Sequence, residues 1–147
     1  LRDMPLERIH SRKLRSFEAP EVLRYRAGGY YIPHADADCW KKQERRWNRR
    51  LDRDYSMLLY FNDEYEGGEL TFHNFGFSFR PRKGMLVAFP SDHRYVHAAE
   101  PVKSGIRYVV VSWAAAEGAP QVEAANTATQ TNARAKRGSM AIPPNLL

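Results

Sequence analysis

Side chains that could bind one metal ion occur near the start of the central part of the chain. His34 and Asp36 stand two positions apart in the segment Tyr-Ile-Pro-His-Ala-Asp. If this segment is a β-strand, both side chains point to the same side, so an imidazole and a carboxylate can reach a single cation. The remaining histidines are His10, His73, His93 and His97. A second, distant histidine would complete a set of two imidazoles and one carboxylate, which leaves coordination positions open and suits non-haem Fe(II).

Arg107 is a further residue whose setting points to chemistry. It follows His97 by ten positions across a turn that contains proline and glycine, so a hairpin is expected to bring the two residues close. Arg107 alternates with apolar residues at positions 109, 111 and 113, and it would be a costly buried charge unless an anion paired with it. A guanidinium binds a carboxylate through two parallel hydrogen bonds, which lysine cannot reproduce. The pattern indicates a carboxylate-binding arginine, with an exposed position at a sheet edge as the alternative.

Short segments rich in Val, Tyr and Phe must position these side chains. From Glu21 onward they alternate with turns made of Gly, Pro and Asn-Asp, a pattern typical of strands. We predict strands near residues 21–26, 29–34, 54–61, 68–72, 76–80, 84–89, 94–99 and 106–113. These short strands, with no convincing helix among them, predict an all-β core, either a barrel or a sandwich of the jelly-roll kind.

Composition divides the chain into three parts. A chain of 147 residues, of which 43% are hydrophobic, is long enough for one domain with its own core and is not disordered as a whole. We predict an N-terminal segment at 1–20 that leads into the domain, the domain itself at 21–114, and a polar tail without aromatic residues at 115–147. Because such a tail has too little apolar area to fold alone, it would lie on the body or on a neighbouring chain, which would give an oligomer.

Cysteine content and hydropathy bear on location. Cys39 is the only cysteine, so the chain cannot form an internal disulfide, and the disulfide-rich secreted class is excluded. No stretch approaches the roughly 18 apolar residues of a membrane span, and the N-terminus has no apolar signal region. We therefore expect a soluble intracellular protein, located in the cytoplasm, without a membrane partner.

One segment carries most of the net charge of +6. Residues 39–53 hold seven cations and two acidic residues, and they directly follow Asp36, so a polar helix or a long loop here would lie near the predicted metal site. Aromatic residues lie among these cations, so the segment could bind an acidic peptide or a nucleic-acid strand by charge and stacking, with a solvated surface loop as the alternative. The candidate substrate contacts are Trp40, Lys41, Lys42, Arg45 and Arg46.

The chain resembles the Fe(II)- and 2-oxoglutarate-dependent dioxygenases, and among them the prolyl 4-hydroxylase-like branch. The resemblance runs from about Leu23 to Trp113, through Tyr-Arg-Ala-Gly-Gly-Tyr-Tyr-Ile-Pro-His-Ala-Asp, Leu-Leu-Tyr-Phe-Asn-Asp-Glu-Tyr-Glu-Gly-Gly-Glu-Leu-Thr-Phe and the stretch from His97 to Arg107. It implies a double-stranded β-helix of the jelly-roll, cupin-like type, with flanking irregular or helical segments. In that family the segment after the first histidine and aspartate often forms a mobile loop over the substrate.

The resemblance also implies roles for particular residues. It makes His34, Asp36 and His97 the iron ligands, because His97, and not His93, has the Glu-Pro-Val continuation and the ten-residue step to Arg107. It makes Arg107 the partner of the distal carboxylate of 2-oxoglutarate. Two tyrosines match family residues that line the cosubstrate pocket, with a place in the core as the alternative: Tyr25 and Tyr60. No protein acid or base would be needed, because Fe(II), 2-oxoglutarate and O2, with ascorbate as reductant, would supply the chemistry.

Three classes of function follow from these features. The resemblance implies first an oxygenase that hydroxylates a C–H bond, with a prolyl residue of a protein or peptide as the expected target and release of succinate and CO2. The second class is an oxidative nucleic-acid demethylase, which the basic segment would suit, although that branch carries a further arginine where this chain has Trp113. The third is a cupin-like module that binds a metal without catalysis, for which a carboxylate-binding Arg107 would have no use. We expect the first.

Overall fold

The computed structural model describes residues 12–122, which form twelve β-strands and two short 3-10 helices. The strands are β1 (Leu14–Phe17), β2 (Glu21–Arg26), β3 (Tyr31–His34), β4 (Asp38–Lys41), β5 (Arg46–Arg49), β6 (Tyr55–Tyr60), β7 (Tyr65–Gly67), β8 (Leu70–Phe72), β9 (Phe77–Phe79), β10 (Leu86–Pro90), β11 (His97–Ala99) and β12 (Val102–Ala116). The 3-10 helices are His73–Phe75 and His93–Tyr95. Within the described range, no helix is long and apolar enough to span a membrane.

Two antiparallel sheets form the body of the molecule. The long strand β12 is the centre of a six-stranded sheet: β1 and β2 pair along one of its edges, β6 and β7 along the other, and β10 joins β6. The second sheet has four strands in the order β3-β11-β8-β9. Apolar side chains of the two sheets meet between them, as where Phe72 of β8 packs edge-on against Phe89 of β10. The predicted all-β double-stranded β-helix is confirmed.

Alternation along β12 determines which of its side chains enter the core. Val109, Val111 and Trp113 are buried together with Tyr60 of β6, whereas the residues between them are only half-buried. Arg107 belongs to the same inward-facing row and is 1% exposed. The alternation predicted from the sequence is therefore present, and an exposed position for Arg107 at a sheet edge is wrong.

The six-stranded sheet includes residues on both sides of the predicted domain at 21–114. Strand β1 pairs with the last residues of β12, with Phe17 opposite Ala114 and Leu14 opposite Ala116. Ala114 and Ala116 are buried in a cluster with Tyr55 and Ala119. The division into three parts stays a prediction. His10, most of the tail and its predicted contact with a neighbouring chain lie outside the described residues.

The connection from His97 to Arg107 differs from the predicted hairpin. Strand β11 lies in the four-stranded sheet and β12 in the six-stranded sheet, so the chain crosses between the sheets instead of pairing the two strands. Residues 103–105 belong to β12 and lie beside β7. The hairpin prediction was wrong because proline and glycine occur both in turns within one sheet and in connections between two sheets, so the sequence of the connection does not distinguish them.

Residues 38–49 form a β-hairpin, which is neither of the forms predicted for the basic segment. Strand β4 pairs with β5, and Trp40 lies directly opposite Trp47, with their ring centroids 5.7 Å apart. Arg45 makes the turn in a left-handed conformation with φ at 50°. Cross-strand aromatic pairs stabilise antiparallel strands, so these two tryptophans favour pairing even among many cations. We call residues 38–49 the basic hairpin.

Candidate active site

Three potential metal ligands come together where the four-stranded sheet meets the bend after β3. His34 ends β3, Asp36 lies on the bend that follows it, and His97 begins β11 directly opposite His34. The His34 Nε2 atom lies 3.4 Å from Asp36 Oδ1, and the His97 Nε2 atom lies 3.6 Å from Asp36 Oδ2. One ligand atom from each residue can be chosen so that all three lie within 4.8 Å of one another. The structure thus brings together the residues that the sequence pattern and the resemblance singled out.

Backbone carbonyls orient both imidazoles. The Nδ1 atom of His34 lies 2.9 Å from the Ile32 oxygen, and that of His97 lies 3.0 Å from the Tyr95 oxygen. A carbonyl only accepts, so each Nδ1 carries the hydrogen and each Nε2 keeps its lone pair for the site. Burial, with the neighbouring charge of His34, lowers the pKa of His97 to about 4. His97 is therefore neutral near pH 7, as a metal ligand must be.

The Asp36 carboxylate is ionised at the same pH. Its burial acts to raise its pKa, but the hydrogen bond with His34, the positive charge of the two histidines in their protonated form and a hydrogen bond from Ser56 outweigh burial and lower the pKa of Asp36. The Ser56 hydroxyl donates to Asp36 Oδ2 at 2.6 Å and also lies 2.7 Å from the Ser91 hydroxyl. Nothing in the sequence pattern singled out these two serines, because only the fold brings them to Asp36.

The donor set and its surroundings fit an Fe(II) ion. Two imidazoles and one carboxylate on one face of an ion make a set typical of non-haem Fe(II), and they leave further positions open. Two aromatic side chains pack beside His97: its ring centroid lies 4.7 Å from that of Phe89 and 6.0 Å from that of Phe72. These apolar neighbours exclude water from one side of the ligand, which fixes the ring and strengthens its electrostatic interactions.

Arg107 is a buried cation with an unused donor. Its Nη1 atom donates to the Gly68 oxygen at 2.6 Å, and its guanidinium lies over the ring of Tyr25 at 4.1 Å. Its Nε atom has no hydrogen-bond partner, and no carboxylate in the part of the chain that the structure describes forms an ion pair with Arg107. An unsatisfied donor on a buried charge is costly, so this environment fits a carboxylate that comes from a ligand.

The predicted pocket tyrosines lie around this cation. Tyr25 of β2 is directly opposite Arg107 of β12, and Tyr60 of β6 is 1% exposed. Burial raises the pKa of both hydroxyls, more than the nearby charge of Arg107 lowers it. Burial likewise raises the pKa of Tyr65, a neighbour of Arg107 that the sequence did not indicate. The phenols are therefore neutral at physiological pH and can donate hydrogen bonds to an anion.

Gly68 lets the backbone approach Arg107 closely. Its φ is +66°, a conformation that residues with a side chain rarely adopt. A Cβ atom at this position would lie 3.3 Å from Arg107 Nη1 and 3.2 Å from a methyl group of Val102. The sequence predicted only a turn at Gly67-Gly68. The structure adds that glycine leaves room for the hydrogen bond from Arg107 to the Gly68 oxygen.

The basic hairpin is attached beside the site by His93. The His93 backbone N–H and side-chain Nδ1 lie 2.9 Å and 2.7 Å from Asp38 Oδ2, and the His93 ring stacks on Trp47 at 5.5 Å. His93 is therefore engaged with the hairpin and does not belong to the ligand cluster. The hairpin follows Asp36 by two residues, and Ala37 between them accepts backbone hydrogen bonds from Arg50 and Leu51.

The candidate substrate contacts differ in their exposure and in their ion pairs. Trp40 is 43% exposed, Lys42 and Arg45 are exposed, and Lys41 is half-buried. Arg46 forms an ion pair with Glu44. Cations at the base of the segment point back to the body, where Arg49 binds Asp54 and Arg53 binds Glu18. Exposed positive charge is thus concentrated near the turn of the hairpin.

Comparison with known proteins adds a family to this geometry. A family model described as the 2OG-Fe(II) oxygenase superfamily matches residues 20–115. The chain belongs to this superfamily. The matched segment contains the two histidines, Asp36 and Arg107, so the resemblance noted from the sequence is confirmed.

Relatives of this 2OG-Fe(II) oxygenase include proteins named as prolyl hydroxylases. Human prolyl 3-hydroxylase 2 is 35% identical over 81 residues, which are 52% of this chain and 11% of the relative. A putative prolyl 4-hydroxylase of Acanthamoeba polyphaga mimivirus is 32% identical over 103 residues, 63% of this chain and 43% of the relative. The chain therefore spans less than half the length of either relative.

Solved structures show the same fold. A viral collagen prolyl hydroxylase from Paramecium Bursaria Chlorella virus-1, solved as a 2OG complex, matches with a TM-score of 0.55 and 28% identity over 68% of this chain and 60% of that chain. A prolyl-4-hydroxylase from Pseudomonas putida matches with a TM-score of 0.58 and 24% identity, over 77% of this chain and 58% of that chain. The second likeness supports the fold of the 2OG-Fe(II) oxygenase alone.

Proposed function

We propose that this 2OG-Fe(II) oxygenase hydroxylates prolyl residues of a protein or peptide, with release of succinate and CO2. The observation that carries the proposal is the pairing of two sites in one fold: a cluster of two histidines and an aspartate, and a buried arginine with an unused donor. The first fits Fe(II), and the second fits the distal carboxylate of 2-oxoglutarate. The names of the relatives support prolyl residues as the target.

The proposed roles of the residues follow from their contacts. His34, Asp36 and His97 would hold the iron, a role supported by ligand atoms that lie within 4.8 Å of one another. Arg107 would bind the distal carboxylate of 2-oxoglutarate, with Tyr25 and Tyr60 donating or packing beside it. When bound, iron supplies the activation of O2 and the oxidation of the substrate C–H bond. We also propose ascorbate as the reductant that keeps the iron ferrous.

We propose the basic hairpin as the contact for the substrate, and an acidic peptide as its partner. Ion pairs within residues 12–122 involve neither Lys41, Lys42 nor Arg45, so these cations can meet acidic side chains of a peptide. Trp40 has an exposed ring beside them, and Arg46 adds a positive charge that is partly neutralised by its ion pair with Glu44. A nucleic-acid strand is the less favoured partner, because the similar proteins are named for prolyl residues.

The other two classes of function are less well supported. Position 113, where nucleic-acid demethylases carry an arginine, holds a buried tryptophan whose ring lies 3.7 Å from the guanidinium carbon of Arg53. A module that only binds a metal would have no use for the buried Arg107. The free thiol of Cys39 supports an intracellular location as part of the proposal.

One assay tests the proposed activity. The protein is incubated with Fe(II), 2-oxoglutarate and ascorbate, together with proline-containing peptides or methylated oligonucleotides, and succinate and product masses are measured. Gain of one oxygen atom on a prolyl residue is expected, with turnover abolished in Asp36→Ala and His97→Ala and retained in the control His73→Ala, which changes an exposed histidine. Demethylation of the oligonucleotides, or no succinate with any substrate, would contradict the proposal.

A further inference from the structure

Two buried serines link Asp36 to the six-stranded sheet, and the proposed function assigns them no role. Ser56, on β6, is 0% exposed, and Ser91, which follows β10, is 1% exposed. The Ser56 Oγ atom lies 2.6 Å from Asp36 Oδ2 and 2.7 Å from Ser91 Oγ. The two hydroxyls and the carboxylate thus form a continuous chain of hydrogen bonds in the interior.

The direction of this chain follows from the chemistry of its members. An ionised carboxylate only accepts, so Ser56 must donate its single hydroxyl hydrogen to Asp36. The Ser56 oxygen then accepts from the Ser91 hydroxyl. Hydrogen bonds arranged in series polarise one another, so the bond from Ser91 strengthens the bond that reaches the carboxylate.

The main chain of Ser91 also holds the backbone that carries Asp36. The Ala37 N–H donates to the backbone carbonyl oxygen of Ser91 at 2.9 Å, and the Ser91 N–H donates to the backbone carbonyl oxygen of Asp54 at 3.0 Å. The bend after β3 is therefore attached to the residue that ends the hydroxyl chain. Both the position of Asp36 and the rotation of its carboxylate depend on the same small region.

The two carboxylate oxygens of Asp36 have different hydrogen-bond partners in this arrangement. Both oxygens face the histidines, with Oδ1 3.4 Å from His34 Nε2 and Oδ2 3.6 Å from His97 Nε2. Oδ2 also accepts the bond from Ser56, which engages one of its lone pairs, whereas Oδ1 accepts no hydroxyl hydrogen from the described residues. We propose that Ser56 and Ser91 are positioning residues that fix the rotation of the Asp36 carboxylate, so that Oδ1 alone binds the metal ion. A carboxylate bound through one oxygen leaves the ion one more open position than a carboxylate bound through both. The inference rests on the proposed metal site but not on the identity of the substrate.

Metal binding to the 147-residue chain tests this role directly. Mn(II) is titrated into the protein and free Mn(II) is measured by electron paramagnetic resonance, without 2-oxoglutarate or peptide. Ser56→Ala should weaken Mn(II) binding about 10- to 100-fold, as is usual when a residue that orients a metal ligand is removed. Ser91→Ala should weaken binding less, and the double variant should match Ser56→Ala, because the second bond acts only through the first.

A spectroscopic measurement separates positioning from general loss of structure. The visible spectrum of bound Co(II) responds to coordination number, so Ser56→Ala should change it if the freed carboxylate binds through both oxygens. Ser56→Thr keeps the hydroxyl and should restore both the affinity and the spectrum. The matched control is Ser112→Ala, which removes a hydroxyl of the same sheet that donates to the Glu18 backbone oxygen, and it should bind Mn(II) as the wild type does.

Circular dichroism shows which variants are folded before titration. A folded Ser56→Ala with wild-type Mn(II) affinity and an unchanged Co(II) spectrum would overturn the inference, as would additive losses in the double variant. If Ser56→Ala does not fold, Ser91→Ala decides the question by the same two readouts. Absence of Mn(II) binding in the wild type would contradict the proposed metal site itself, so the two failures are distinguishable.

Discussion

Arg107 carries a full charge in the interior next to a carbonyl and an aromatic ring, without a carboxylate from the described residues. Such a charge is stabilised by dipoles and by the ring face, but less than by an anion, so its environment favours a carboxylate ligand. The geometry matters as much as the charge. The guanidinium can offer Nε and a terminal nitrogen in one plane to the two oxygens of a carboxylate.

Arg107→Lys should therefore impair the use of 2-oxoglutarate while leaving metal binding unchanged. Lysine keeps the charge but loses the planar pair of donors, and a hydrogen bond to a charged group contributes about 1.5–3 kcal/mol. The KM for 2-oxoglutarate should rise about 10- to 100-fold, measured from succinate formation at varied cosubstrate concentration. Arg80→Lys, which changes an arginine over the ring of Tyr65, is the control. An unchanged KM in Arg107→Lys would contradict the assignment.

Gly68→Ala should have a similar effect on 2-oxoglutarate by displacing Arg107. The added Cβ would lie 3.3 Å from Arg107 Nη1, so the guanidinium would have to move. Gly76 is a matched control, because its φ is also positive, at +57°, but a Cβ there would meet nothing within 4 Å. Both variants should lose about 1–2 kcal/mol of stability from backbone strain, measured by thermal unfolding. Only Gly68→Ala should raise the KM for 2-oxoglutarate, and equal KM values in the two variants would contradict this.

The residues that sequence reasoning found and missed differ in the kind of signal they leave. His34 and Asp36 are neighbours in the chain, and Arg107 stands in an apolar alternation, so local patterns reveal all three. Ser56 and Tyr65 become neighbours of the site only when β6 and β7 pair along β12. No local pattern marks a serine or tyrosine for such a contact, so the structure was needed to find them.

Strands with apolar alternation were predictable, whereas strands held by distant partners were not. The eight predicted strands correspond to β2, β3, β6 and β8 to β12. The two strands of the basic hairpin were missed because their cations obscure the pattern, and because the stacking of Trp47 on His93 involves a residue far along the chain. The connection from β11 to β12 was mistaken for a hairpin because its turn residues do not indicate whether the next strand joins the same sheet or the other one.

The basic hairpin should bind peptides through charge. The double variant Lys41→Glu/Lys42→Glu should raise the KM for an acidic proline-containing peptide by roughly 10-fold, because exposed charge pairs contribute about 0.2–1 kcal/mol each and reversal turns attraction into repulsion. The effect should diminish as salt is added, since salt screens exposed charges. Peptide KM values from succinate formation at low and high salt provide the measurement.

A second pair of adjacent cations provides the control for the hairpin. Arg82 and Lys83 are exposed between β9 and β10, so Arg82→Glu/Lys83→Glu makes the same change of charge elsewhere on the protein. This control should bind the acidic peptide nearly as the wild type does. Equal losses in the two double variants would indicate a general effect of net charge and contradict a specific role for the hairpin.

The candidate metal site connects the two sheets of the molecule. His34 and His97 belong to the four-stranded sheet, while the Asp36 carboxylate is hydrogen-bonded to Ser56 of the six-stranded sheet. All three side chains, together with Arg107, lie inside the segment 20–115 that matches the family. An ion bound to all three would therefore hold the sheets to one another, so metal binding and the stability of the whole fold should be coupled.

Mn(II) should therefore raise the unfolding temperature of the whole protein. Binding to the folded state alone adds about 2.7 kcal/mol when the ion is present at about 100 times its Kd, which for a chain of this size is a shift of roughly 5–10 °C. Thermal unfolding followed by circular dichroism should show the shift, and excess EDTA should reverse it. Asp36→Ala should lose the shift and His73→Ala should keep it, because only the first removes a ligand. If Asp36→Ala is stabilised as much as the wild type, the ion binds elsewhere and does not join the sheets.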